Sequence, residues 1–309
     1  MTWANPLRIG DAFAFDVTYA GFGQTTGGAR WKMPVGEGQK LNFGYSRVQY
    51  LVGGEFSSLD SYGWADTWHG DWTYALQRSR DKNLYVQLGF DHRNLQDFMS
   101  SAGTATLKSS NSGFISLFGD RADNFGGGGA TSYGFTWRRG NLSGASDTAT
   151  LATGYWDKYS YYLMRQQTVT QRLSLFTALS GQWASTNLDS SERFSLGGAN
   201  GVRAYPSGEA SGDEACLFTT ELRWSVPTGK KTILQLIGFF DAGVSFIEKN
   251  QTQPGENRRS ISGYGIGAQW MRPGDWSLKA HFAWKSSAEN ARSEEDRNGR
   301  LWVQATKYF

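Results

Sequence analysis

The sequence predicts an all-β chain built as a transmembrane antiparallel β-barrel of about 14 strands. Three observations point there. Segment after segment alternates with period two. The composition is aromatic and glycine-rich yet hydrophilic on average. The connections alternate between short and long. Aromatic residues make up 15% of the 309 residues, glycine supplies 39 and proline only 6, while the mean hydropathy is −0.50. Such a balance is unusual for a packed soluble core and suits a wall that is apolar on one side and wet on the other.

The elements follow from the alternation. "DAFAFDVTYA" puts Phe13, Phe15, Val17 and Tyr19 on one face and Ala12, Ala14, Asp16 and Thr18 on the other. "NLYVQLGFD" sets Leu84, Val86, Leu88 and Phe90 against Asn83, Tyr85, Gln87, Gly89 and Asp91. In "WSLKAHFAWK" the residues Trp276, Leu278, Ala280, Phe282 and Trp284 share a face, with Ser277, Lys279, His281, Ala283 and Lys285 opposite. The pattern marks strands at 11–20, 27–34, 39–51, 63–78, 83–93, 108–121, 130–142, 155–168, 171–184, 215–226, 232–247, 259–271, 276–286 and 300–309.

Short turns at 35–38, 79–82, 169–170, 227–231 and 272–275 alternate with longer links at 52–62, 94–107, 143–154, 185–214, 248–258 and 287–299. Links 21–26 and 122–129 fit the alternation less well. Short turns at one rim and long loops at the other are the pattern of an outer-membrane barrel. Hydrocarbon offers the backbone no partner, so strands that cross it close into a ring. No run approaches the ~18 apolar residues of a spanning helix. The start, "MTWANPLRIGD", lacks the charged and apolar regions of a signal peptide. The last segment, "LWVQATKYF", ends on Phe309, which reads as a C-terminal barrel-assembly signal.

Catalytic chemistry finds little support. Cys216 is the single cysteine, and His69, His92 and His281 stand far apart. No His pair at ligand spacing or cysteine cluster marks a metal site. No G-x-S-x-G accompanies His281, and each histidine reads as a polar wall residue. The glycine runs at 126–129 and 197–201 lack the Lys-Ser/Thr of a phosphate loop. The net charge of +3 is too small to argue for nucleic acid. The expectation is a protein that is no enzyme, with no catalytic residue, metal or other cofactor.

The longest link, "FSLGGANGVRAYPSGEASGDEA", holds Arg203 among small residues. Alternation in "IGFFDAGVS" puts Phe239, Asp241 and Gly243 on the face opposite Leu236, Gly238, Phe240, Ala242 and Val244. An aspartate in the most apolar strand belongs on the wet face and wants a cation or donors. Arg203 is one candidate; a nearby lysine or water is another.

Together, "FSLGGANGVRAYPSGEASGD" and "FFDAG" resemble the signature motifs of two-partner-secretion transporters. These TpsB proteins form the haemolysin/haemagglutinin activator and secretion family, in a superfamily shared with BamA-type insertases. The family's Val-Arg-Gly-Tyr/Phe maps onto Val202, Arg203, Ala204 and Tyr205, with Ala204 in place of glycine. Its Phe-x-Asp-x-Gly maps onto Phe239, Asp241 and Gly243. The resemblance implies that the loop folds into the lumen, its glycines supplying flexibility, and that Arg203 pairs with Asp241. It implies a Gram-negative outer-membrane location, contact with outer-membrane lipid and with the barrel-assembly machinery, and secretion of a large haemolysin- or adhesin-like exoprotein without ATP. Family members also carry a signal peptide, a plug helix, two POTRA domains and sixteen strands. "NPLRIGD" resembles the first periplasmic turn of that barrel, so residues 1–309 are expected to be barrel alone. The plug helix, the POTRA domains and the first two strands would then be absent, and the chain would be a truncated, inactive fragment. An insertase of the same superfamily and a passive porin-like channel are the rival readings.

Overall fold

In the computed structural model, described for residues 1–20, 24–51, 61–144, 152–229, 231–252 and 254–308, the described residues form a single fifteen-stranded sheet ordered as in the sequence. The strands are β1 (Thr2–Ala4), β2 (Ala12–Ala20), β3 (Gln24–Gly36), β4 (Gln39–Leu51), β5 (Ser61–Arg78), β6 (Lys82–Met99), β7 (Thr104–Asp123) and β8 (Gly129–Gly144). They continue with β9 (Gly154–Thr168), β10 (Leu173–Ala184), β11 (Glu214–Pro227), β12 (Ile233–Phe246), β13 (Arg258–Arg272), β14 (Trp276–Lys285) and β15 (Gly299–Lys307). Each of the fourteen expected segments corresponds to one strand. The fifteenth, β1, is too short to show a period.

One expected link is corrected. Residues 94–107 read as a long connection because Asn94, Gln96 and Asp97 blur the alternation. In the structure β6 runs on to Met99 and pairs with β5, Asn94 opposite Asp66 and Met99 opposite Ser61. The link shrinks to 100–103, with a 3-10 turn at Ser100–Ala102. Backbone pairing does not read side-chain polarity, and the rings of Tyr62 and Trp64 pack on Phe98 at 5.1 Å. The connections at 21–23, 52–60 and 145–151, and the proposed terminal signal Phe309, lie outside the described residues.

The sheet is inside-out. Its exposed face carries Val17 (81% exposed), Phe90, Ile266 (61%), Leu301 and Val303. Its buried face carries Asp71, Asp91, Ser110, Ser112, Glu221, Asp241 and His281. This is the distribution that hydrocarbon outside and water inside demand.

The chain divides into two compact units, 1–118 with 135–159 and 185–189, and 119–134 with 160–184 and 190–309. In the first unit, the buried face holds a charged cluster. His69 Nδ1 lies 2.5 Å from Asp91 and Nε2 lies 2.8 Å from Asp71, while Arg138 also pairs with Asp91. His69 thus sits between two carboxylates. In the second unit, the long loop 190–213 lies against β11–β15.

Placing Ile266→Arg on the exposed apolar face should cost about 2–4 kcal/mol if the residue sits near mid-membrane. Gln235→Arg, on the opposite face, should cost far less. Urea unfolding of the lipid-reconstituted protein measures both.

Candidate functional site

Strand register builds a receptacle on the polar face of β11 to β15. One row across the strands reads Thr219, Asp241, Gly263 and Lys285. The next reads Glu221, Phe239, Gly265, Ala283 and Arg300. The third reads Arg223, Ile237, Gly267, His281 and Trp302. The three glycines stack along β13 and leave a trough. A Cβ on Gly263 would lie 2.4 Å from the Ala204 methyl, one on Gly265 would meet Phe239 at 2.4 Å, and one on Gly267 would meet His281 at 2.2 Å. Ala204, standing where the resembled motif has glycine, is therefore accommodated by a glycine on the wall. Its backbone is not among the left-handed residues, so nothing at that position requires glycine.

Arg203 fills the receptacle. Its Nε and Nη2 donate to the two oxygens of Asp241, each at 2.8 Å, and its backbone N–H adds a third bond at 3.2 Å. Nη1 donates to Glu221 Oε1 at 2.6 Å and to His281 Nδ1 at 3.2 Å. The guanidinium carbon sits 3.5 Å from the Phe239 ring centroid, a cation–π contact on a desolvated cation. Trp302 Nε1 donates to the Arg203 carbonyl at 2.8 Å. Thr219 Oγ1 donates to Asp241, and Arg223 holds the second oxygen of Glu221. Arg203 is 3% exposed and Asp241 0%. The fork geometry of arginine matches one carboxylate bidentately and leaves a donor for a second.

The other motif residues form the shell of this contact. Val202, Ala204 and Tyr205 are buried with Leu196, Phe239 and Ile261 in one apolar cluster. Gly243 faces the loop, where a Cβ would press to 2.7 Å from Leu196. Tyr205 donates its hydroxyl to the Glu289 carbonyl at 2.6 Å.

Three of the loop's glycines mark close backbone packing. A Cβ would lie 2.2 Å from the Pro206 carbonyl at Gly197, 2.0 Å from the Leu196 carbonyl at Gly201, and 2.2 Å from the Phe246 carbonyl at Gly212. They allow backbone to pack on backbone, as in the bridges Phe194–Gly212 and Gly197–Val202. At these three positions only glycine leaves room for the neighbouring backbone.

A second anchor was not legible in the sequence. Glu209, buried in the same loop, accepts from Arg259 Nη2 and from the backbone N–H groups of Arg292 and Ser293, all at 2.8 Å. The Ser293 hydroxyl adds a fourth bond, and Arg259 also pairs with Glu289. The loop is thereby tied to the connection between β14 and β15. Burial raises the Glu209 carboxyl, but the hydrogen bonds from Ser293, Arg292 and Arg259 outweigh it and hold the group below its ordinary value. The available signal was an acidic residue among the small residues of the loop, ahead of Asp213 and Glu214.

A sheet apolar outside and polar inside, with a long loop ion-paired to its polar face, defines a transmembrane β-barrel carrying a loop on its inner wall. Comparison with known proteins places it further. The family model of the haemolysin secretion/activation protein ShlB/FhaC/HecB matches residues 1–270, and the chain belongs to that family. It is 24% identical over 285 residues to the heme/hemopexin transporter protein HuxB of Haemophilus influenzae strain 86-028NP, covering 88% of this chain and 50% of that protein. It is 27% identical over 207 residues to the outer membrane transporter CdiB of Escherichia coli, covering 61% of this chain and 34% of that protein. The CdiB structure from Escherichia coli superposes with a TM-score of 0.81 at 18% identity, over 98% of this chain and 57% of that one. BamA from Haemophilus ducreyi lacking POTRA domains 1-3 gives 0.67 at 13%, over 99% and 66%. The fold is thus the β-barrel of these proteins. The family is one of outer-membrane transporters of Gram-negative bacteria, not of enzymes. The chain spans about half the length of HuxB.

Two outcomes follow. A double-mutant cycle on Arg203→Ala and Asp241→Ala should give a coupling of about 2–3 kcal/mol in denaturant unfolding. Glu209 has a depressed folded-state value, so its contribution to loop closure is complete above the ordinary glutamate range of about 4.3 and is lost as pH falls through the depressed value. Limited proteolysis of 190–213, corrected at each pH for the protease's rate on an unfolded control, should be faster at the lower pH, and the Glu209→Gln variant should be cut readily at neutral pH by a protease active there.

Proposed function

We propose that residues 1–309 are the barrel part of an outer-membrane protein transporter that secretes, and in secreting activates, a large haemolysin- or adhesin-like exoprotein. The polypeptide passes unfolded along the polar inner face, and its folding outside supplies direction without ATP. Recognition in the periplasm belongs to parts of the protein other than this barrel. Outer-membrane lipid meets the apolar face, and the barrel-assembly machinery inserts the chain, with Phe309 as its terminal signal.

The observation that carries this reading is the seating of 190–213 on the inner wall through Arg203, Asp241 and Glu221 in a chain of this family. Both named relatives are transporters, which favours secretion over barrel insertion. In this reading Val202, Arg203, Ala204 and Tyr205 are a latch, and Phe239, Asp241 and Gly243 are its strike plate. A buried ion pair of this kind fixes a position more than it adds stability, since desolvating two charges offsets much of their attraction.

Breaking the pair leaves an unpaired buried charge, which costs about 3–5 kcal/mol. In the full-length protein, Arg203→Ala should therefore lower secretion of the co-expressed exoprotein sharply, while the barrel still assembles and migrates as a heat-modifiable band. Unchanged secretion with a normal barrel would overturn the latch.

A further inference from the structure

Two adjoining cavities lie beneath the tip of the loop. One, of about 210 Å³, is lined by residues including Asn200, Arg203, Glu221, Arg223 and Lys279. The other, of about 60 Å³, is lined by residues including Asn200, Lys279, His281 and Trp302. Asn200 and Lys279 border both.

The polar groups here do not balance. Three cations, Arg203, Arg223 and Lys279, face two carboxylates, Glu221 and Asp241. Arg203 takes both carboxylates and Arg223 takes Glu221. Lys279 makes no hydrogen bond or ion pair among the described residues, so the surplus positive charge is its own.

His281 adds a second observation. Arginine only donates, so the 3.2 Å contact from Arg203 Nη1 makes His281 Nδ1 the acceptor. The ring is then neutral and Nε2 carries the proton. That Nε2 is buried with no partner among the described residues, in a residue 3% exposed. Lys279 and His281 both line the smaller cavity, and what the ammonium there lacks is an acceptor with negative charge. The smaller cavity has the volume of about two waters, enough for a carboxylate group.

We propose that this space is a carboxylate-binding site formed by Lys279, His281 and Asn200, which takes acidic side chains of the polypeptide in transit. The source of the carboxylate rests on the transporter reading; the site itself does not. A carboxylate held there sits beside Glu221 and within the field of Arg203. It competes with the wall carboxylates for that guanidinium, so cargo entry and loop release are coupled.

The test uses the full-length protein in planar lipid bilayers, with a short alternating Glu-Gly peptide and its Gln-Gly counterpart as blockers. The acidic peptide should block at concentrations about tenfold lower, a difference of one decade in affinity. Lys279→Gln should erase that preference and Lys279→Arg should keep it. Equal block by the two peptides, or a preference that survives Lys279→Gln, overturns the site. Should the variants fail to assemble, acylation of Lys279 in the unaltered protein by a small amine-reactive ester gives the same answer by mass spectrometry. The Glu-Gly peptide and acetate should slow it and the Gln-Gly peptide should not; equal rates overturn the proposal. Neither measurement needs the exoprotein. A retained acidic preference with no secretion overturns transport alone, and secretion without the preference overturns the site alone.

Discussion

The guanidinium of Arg203 is the contact around which this end of the sheet is arranged. Each of its nitrogens is used: two on Asp241, one shared by Glu221 and His281, with the ring of Phe239 beneath. A desolvated cation of this kind is costly unless its partners are already in place. The partners come from three strands, so their placement depends on the register of β11 to β14. A slip of one residue would turn Asp241, Glu221 and His281 toward hydrocarbon. The same register aligns Gly263, Gly265 and Gly267 and so makes room for Ala204, Phe239 and His281. Strand pairing, glycine placement and the ion pair are thus one constraint.

The loop is held at two places with different consequences. The tip is fixed to the wall by Arg203. Its return arm is fixed by Glu209 to Arg259 and to the backbone at 292–293, which lies between β14 and β15. Tyr205 joins the two through Ser287 and Glu289. Movement of the tip alone would strain the second anchor, so the proposed release of the loop draws in the connection that follows β14. That connection is charged, with Glu294, Glu295, Asp296 and Arg297 in sequence.

Much of this was legible in the sequence because a barrel wall obeys a simple rule. Alternation assigned Asp241 and His281 to the wet face, and the structure buries both there. What alternation cannot supply is which wet-face residues become neighbours. Glu221 looked like any polar position in a strand until pairing set it beside Phe239. The Glu209–Arg259 pair joins a loop to a strand across 50 positions, and no local pattern encodes it. Composition also could not show that three of the loop's glycines stand where another carbonyl comes within 2.0–2.2 Å of an absent Cβ. The ends of β6 and β7 were hidden by polar side chains that the backbone ladder ignores.

Hydrogen exchange of the loop backbone tests the central claim most directly. In the full-length protein the amides of 196–206 should be protected nearly as well as those of β11 and β12. Asp241→Asn should release that protection while the strands keep theirs, because it removes the charge that Arg203 is seated on and leaves the sheet paired. Loop protection that survives Asp241→Asn would contradict the account, for it would mean that apolar packing and the Glu209 anchor hold the loop and the Arg203–Asp241 pair is incidental.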